Sequence, residues 1–288
     1  MIALVSLAEG RLTVGTGKIE RMTLPKALAR PNEIAPILRG KCAPMSAKGE
    51  HRHIIATYRT DSSIKAYVDG KELSRYSQVG PVTPDHVIRT KPKPLIVPAP
   101  EVGKLSAWIT EVDKRLASYQ AEYRAYFDRQ NNSLENAKTP LDPMPRVILV
   151  RGLGLFGLGD SMGAASIAAD LAETTISVVS ASERLGKFQS ILESDVFDVE
   201  YWSLEQAKLG KLKTPAFGGY VVAGTGGAGT IGQATANAFR EKGAEVAVLD
   251  VDHEEVMKAA NLIGGFGIPC DVTTVSYTHL TLPTSDLV

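Results

Sequence analysis

Cysteine is scarce in this 288-residue chain: Cys42 and Cys270 are the whole complement. They stand far apart, and neither has the close spacing of metal ligands. That excludes a disulfide-stapled scaffold, and a reducing cytoplasm is the simplest setting. Net charge is lacking too, since 32 Lys and Arg balance 32 Asp and Glu. No run of like charge offers itself to nucleic acid or to an anionic membrane surface. Long apolar stretches are missing as well. Met1 to Val5 is too short for a secretory core and has no basic lead. Val147 to Val179 leans apolar, but Arg151, Asp160, Asp170 and Glu173 interrupt it, so no membrane span is expected. The length leaves room for one large or two modest domains.

Glycine is what the chain does have, in one place above all. An apolar run, Tyr220 to Ala223, leads into Gly224-Thr225-Gly226-Gly227-Ala228-Gly229-Thr230-Ile231-Gly232. A helical pattern follows at once, from Gln233 to Lys242, with Gly243 placed to end it. A dinucleotide pyrophosphate site needs this order. Glycines let the backbone approach the phosphates, and the N–H groups opening the helix face the anion. Glu245 to Leu249 reads as a second strand, and Asp250 closes it 24 positions after Gly226. A carboxylate there can accept the ribose hydroxyls of NAD and repel the extra phosphate of NADP. No arginine stands at 251–256 to receive that phosphate. Glu254 to Leu262 reads as a helix, and Asp271-Val272-Thr273 as the end of a third strand.

These residues resemble the short-chain dehydrogenase/reductase family. Thr225-Gly226, then Thr230-Ile231-Gly232, is similar to its glycine turn, with Thr230 at the middle glycine. Gly226, Gly229 and Gly232 also match the variant turn of the extended branch, which includes sugar epimerases and dehydratases. Asp271-Val272 resembles the element that lies beside the adenine. The resemblance covers about 60 residues. It implies a catalytic Ser and a Tyr-x-x-x-Lys pair further along, and these are absent here. Tyr277 is followed four positions later by Thr281, not Lys. The catalytic residues therefore stay unassigned, and the chain alone is expected to be inactive. Val275 to Val288 fits neither helix nor strand pattern. It resembles the translation of a transposon-type sequencing-library adapter, which would put the end of native sequence near Thr274. A natural β-rich tail is the alternative.

The front of the chain reads as a second kind of unit. Pro31-Asn32-Glu33 opens a short helix through Leu38, with Asn32 as candidate N-cap. His53 to Tyr58 and Ile64 to Val68 read as strands joined at Asp61-Ser62-Ser63. Val102 to Gln130 is an amphipathic helix with Trp108, Val112, Leu116, Tyr119, Tyr123 and Phe127 near one face. Arg146 to Val150 is a strand, and Ser161 to about Leu185 a long helix. Between them lies a second G-x-G-x-x-G, Gly152 to Gly157. Its bulky Leu155 and Phe156, and the lack of a following strand ending in an acid, favour a packing turn over a phosphate site. Ala207 to Pro215 reads as an interdomain connection.

Val82 to Lys91, Val150 to Phe156, and Phe197 to Leu209 resemble the bifunctional aldolase/short-chain dehydrogenases, rhamnulose-phosphate aldolase type included. The resemblance runs from about residue 30 to 274. It implies a class II, zinc-dependent sugar-phosphate aldolase portion joined to an NAD-dependent dehydrogenase that oxidises the aldehyde product. It also implies zinc histidines upstream of this chain, which would then be truncated at both ends. His51 and His53 alternate on an expected strand and with His86 could form a three-histidine site. The upstream ligands implied by the resemblance favour an exposed polar face instead, so no metal site is assigned. His86, Arg89, Lys91 and Lys93 gather near prolines and could hold a sugar phosphate. The other reading is a loop with solvated charges. Glu200, Tyr201 and Trp202, with Glu205 and Lys208, read as a domain-contact helix.

The expected architecture is α/β. A partial aldolase-type portion spans 1–210, and 211–274 is the first part of a Rossmann unit, a doubly wound parallel sheet. Residues 275–288 are set aside as a non-native tail. The expected cofactor is NAD. The expected partner is a small-molecule sugar phosphate or aldehyde, with no nucleic acid and no membrane, and a homo-oligomer remains open. A nucleotide-binding sensor and an extended-type epimerase or dehydratase are the alternatives.

Overall fold

The structure, a computed structural model, describes residues 5–7, 9–10, 17–45, 49, 52–132, 137–204 and 215–274. The expectations for His51, Glu205, Lys208 and the 275–288 tail fall outside these residues. The molecule is a mixed α/β protein that divides into two compact units. The first takes the segment up to residue 34, 57–158 and 164–211. The second takes 35–56, 159–163 and the segment from 212 onward.

The first unit is built on a sheet of order β1-β4-β3-β2, with β1 Ile55–Arg59, β2 Leu95–Val97, β3 Val147–Val150 and β4 Gly154–Gly159. β2 and β3 run parallel, and β3 and β4 antiparallel, so the sheet is mixed. Every residue of β3 and β4 is buried, which explains their continuous apolar runs. Helix α1 is Pro31–Lys41. Asn32 lies inside it, so the expected cap is wrong. The Glu33 carboxylate instead accepts from the Arg30 N–H at 2.7 Å, and proline takes the first helical position, where no N–H is needed.

Ile64 to Val68, expected as a strand, is helical: α2 spans Ser62–Val68. Asp61 decides this. Its Oδ1 accepts from the Ile64 N–H and the Ser63 hydroxyl, each at 2.7 Å, so Asp-Ser-Ser caps a helix rather than turning a hairpin. Ile64, Tyr67 and Val68 then share one buried face at helical spacing. α3 spans Leu73–Tyr76 and α4 Val87–Thr90. The long amphipathic helix is α5, Leu105–Asn131, and it buries Trp108, Val112, Leu116, Tyr123, Tyr126 and Phe127. α6 is Met162–Leu185 and α7 Glu193–Glu200.

α6 is long and apolar enough to cross a membrane by length and composition alone. Its position gives it another job. Ala168, Ala169, Ala172, Ile176 and Val179 pack on Val147, Leu149 and Leu155 of the sheet. The contact is close because small residues face each other. A β-carbon on Gly157 would run into the backbone at Ala165 and Ala169.

The second unit holds a wholly parallel sheet, β5-β6-β7, of Val221–Thr225, Glu245–Asp250 and Phe266–Pro269. Helices α8, Thr230–Glu241, and α9, His253–Ile263, connect the strands in turn. Both pack on the face that carries Val222, Val246 and Val248. On the other face Val221, Phe266 and Ile268 are exposed. Segment 35–56 belongs to this unit. The Arg39 guanidinium donates to Ile54 O at 2.8 Å and Gly219 O at 3.3 Å, and the His53 ring lies 3.9 Å from that of Tyr220.

Candidate functional site

The three parallel strands all end at one edge of their sheet, and the predicted residues collect there. Thr225 pairs with Leu249, and Asp250 with Pro269. Gly224 and Thr225 finish β5, and Gly226 turns the chain at φ +63°, a conformation that costs glycine little. The Gly227 N–H donates to Leu249 O at 3.0 Å, which ties the turn to β6. Gly229 takes the N-cap position of α8 without a side chain to cap it. The N–H groups of Thr230, Ile231 and Gly232 therefore open the helix with no carbonyl a turn behind them. Ile231 is 83% exposed. A β-carbon on Gly232 would strike the backbone of Gly226 and Gly227, so glycine is required for the helix to start this close to the turn.

Asp250 meets this turn directly. Its Oδ2 accepts from the Ala228 N–H at 3.1 Å and its Oδ1 from the Val251 N–H at 2.8 Å. The carboxylate thus sits within reach of the glycine turn, 22 residues away in sequence from Ala228. Asp271 and Val272 follow β7 at the same edge. They are not a strand end as expected but part of a polar turn. The Asp271 carboxylate accepts from the Thr273 hydroxyl at 2.7 Å, the Thr273 N–H at 2.9 Å and the Thr274 hydroxyl at 3.0 Å. Those bonds, the Thr273 hydroxyl first, hold its carboxyl below the usual range. Val272 is exposed beside it.

The second glycine run has a different fate. Gly154 and Gly157 lie inside β4, a hairpin partner of β3, and are fully enclosed. No helix starts at this turn, and its backbone is committed to the sheet. Among the described residues no three His, Cys, Asp or Glu side chains gather as a metal-binding group. The His53 ring packs against Tyr220 at an interplanar angle of 42°, far in sequence from His86.

Of the four residues of the proline-rich loop, His86 and Lys91 border one small cavity and Lys93 another. Lys91 is buried and points into a polar centre that sequence reasoning missed. Its Nζ donates to the Tyr123 hydroxyl at 2.8 Å and lies 3.7 Å from Glu200 Oε1. The same ammonium sits 4.1 Å from the Tyr123 ring centroid. Tyr123 and Tyr126 donate to the two Glu200 oxygens at 2.8 and 3.0 Å, and Tyr201 bonds Tyr123 at 3.0 Å. Burial pushes Lys91 down to about 8 and raises Glu200. Lys91 also holds φ +64°, ψ 164°, a backbone region that costs a side-chain-bearing residue ~1–3 kcal/mol. The Glu200-Tyr201 pair, expected to meet another domain, is thus internal to the first unit. The one legible signal was Tyr123 on the buried face of α5.

With fold and geometry in place, the chain can be classed. Residues 29–209 match the family described as aldolase class II, second domain. The chain belongs to that family. It is also similar, at 31% identity over 232 residues, to the protein named "Uncharacterized oxidoreductase YuxG" of Bacillus subtilis (strain 168). That alignment covers 80% of this chain and 32% of the relative, so the chain spans about a third of the length of the curated relative it matches.

Proposed function

We propose that the chain is part of a bifunctional sugar-catabolic enzyme, a class II aldolase portion followed by the start of an NAD-dependent short-chain dehydrogenase with a Rossmann unit. On this reading residues 1–210 belong to the aldolase portion and 211–274 to the nucleotide-binding one. The family match and the oxidoreductase-named relative support the two halves. The observation that carries the cofactor half is Asp250 bonded to the glycine turn. Gly224 to Gly232 would hold the pyrophosphate through backbone N–H groups and the opening of α8. Asp250 would take the ribose hydroxyls, and Asp271 and Val272 would border the adenine. NAD, when bound, would accept a hydride from the carbon being oxidised. This chain's residues bind and orient it; no proton-transferring residue is assigned. The substrate would be a small sugar phosphate or its aldehyde product, handled in the cytoplasm. The described residues offer no zinc ligand set, and no step is assigned to zinc.

Calorimetric titration of the 288-residue chain with NAD+ and NADP+ tests this. NAD+ should bind about tenfold or more tightly, since a 2′-phosphate beside Asp250 sets like charges together. Asp250→Ala should erase the preference. Equal affinity for both cofactors in the unmutated chain, or binding of neither, would overturn the assignment.

A further inference from the structure

The first unit holds a cavity of about 230 Å³ that the dinucleotide reading does not use. Tyr119, Tyr123 and Tyr126 of α5 form one wall, and Lys93, Glu122 and Gln78 stand around it. The volume falls below the ~300–1,000 Å³ of pockets for drug-sized ligands, which restricts the occupant to about monosaccharide size. Tyr123 and Tyr126 spend their hydroxyls on Glu200, which does not line the cavity. They therefore present ring carbon to it, a surface suited to the C–H face of a sugar.

The polar groups point to hydroxyls rather than to an anion. Arg129 reaches the lining, but Glu193 already takes its guanidinium at 2.8 and 3.2 Å. Glu122 balances Lys93 in formal charge. Lys91, which would have added a positive charge, is turned away into the Tyr123–Glu200 centre. The Gln78 amide donates to Pro94 O at 3.0 Å, which leaves its oxygen to accept. Glu193 lines the cavity too, paired with Arg129; beside that pair the lining holds one ammonium, the Glu122 carboxylate and one amide oxygen around aromatic carbon, and so both gives and takes hydrogen bonds. A hydroxyl does the same, and a phosphate only accepts. We propose that this cavity binds a neutral, hydroxyl-rich small molecule of monosaccharide or polyol size, and that it discriminates against phosphorylated counterparts.

The site lies wholly within the first unit, so its test is independent of Asp250 and the glycine turn. The 288-residue chain would be titrated with D-glucose, D-xylose and xylitol, and separately with glucose 6-phosphate and inorganic phosphate. Ligand-observed NMR and backbone amide shifts give the readout. At least one neutral probe should bind saturably, with shifts centred on residues 119–126, and its phosphorylated counterpart should bind about tenfold more weakly. Glu122 is exposed, so Glu122→Gln should weaken the neutral probe about fivefold or more with an unchanged melting midpoint. Tyr126→Phe, which removes a hydroxyl aimed at Glu200, should leave probe affinity within about twofold. No saturable binding of any neutral probe, tighter binding of the phosphorylated sugar or of phosphate, or an unaffected Glu122→Gln variant would each overturn the proposal.

Discussion

Two glycine runs of related spacing stand in this chain, and the folded protein uses them in opposite ways. Gly152 to Gly157 enters a buried hairpin strand, where the absence of side chains lets α6 close on the sheet. Gly224 to Gly232 joins a strand to a helix at an open sheet edge, where the absence of side chains leaves N–H groups and a nearby carboxylate accessible. The spacing is similar; the neighbours differ. Polar groups follow the same division. In the first unit Lys91 and Glu200 are enclosed, with side-chain exposures of 4% and 0%. In the second, Asp250 sits at the turn it would serve.

The strongest way to break this comparison is at the buried centre. Lys91→Met leaves the Glu200 carboxylate enclosed without its cation, and loss of one partner of a buried pair costs ~3–5 kcal/mol. Chemical denaturation should show that loss, and a change below about 1 kcal/mol would mean the centre is solvated. Gly157→Val comes next. Its side chain meets the α6 backbone at Ala165 and Ala169, and overpacking of this kind costs ~1–3 kcal/mol or more. Cofactor titration of whatever remains folded should be unchanged, because this run serves packing.

Gly232→Val sharpens the other side. It should cost ~1–3 kcal/mol locally, yet its larger effect should be on NAD+ affinity, through displacement of the turn. Retained affinity would separate the turn from the cofactor. Smallest of all should be Ile231→Ser at an 83% exposed position, within about 0.5 kcal/mol by melting.

The buried centre also has a pH signature. Lys91 titrates at about 8 in the folded chain, against an ordinary value of 10.5. Across that window the unfolded chain binds more protons, so the Lys91 contribution to stability rises with pH. Glu200 is raised from its ordinary 4.5 and acts in the opposite sense, losing stability as pH climbs above that value. Between pH 8 and 10.5, wild type should gain stability relative to a Lys91→Met/Glu200→Gln double variant. A flat difference across the window would show that the ammonium is not desolvated.

How much of this was legible beforehand depended on distance along the chain. The glycine run from Gly224 to Gly232 and Asp250 form a continuous local pattern that could be read directly, whereas the helix expected from Gln233 begins inside the run, at Thr230. The long helices of the first unit carried their own periodicity. Asp61 showed the limit of local reading: the same Asp-Ser-Ser suits a hairpin turn or a helix cap. Burial of Ile64, Tyr67 and Val68 against the α6 side of the core settled it as a cap.

The sequence by itself determined the mixed α/β character, the glycine turn with its acidic partner, and a resemblance to the aldolase family that the family match bears out. Local sequence can do this because helix periodicity, caps and glycine turns are set by neighbours a few residues apart. Only the tertiary structure decided that one glycine run would be sealed into a sheet, that Lys91 would face Glu200, and that three tyrosines would wall a cavity. Those outcomes rest on contacts between residues such as Lys91 and Glu200, or Gly157 and Ala169, which no short window contains. Burial then fixes the chemistry, because desolvation acts on the assembled site rather than on the residue alone.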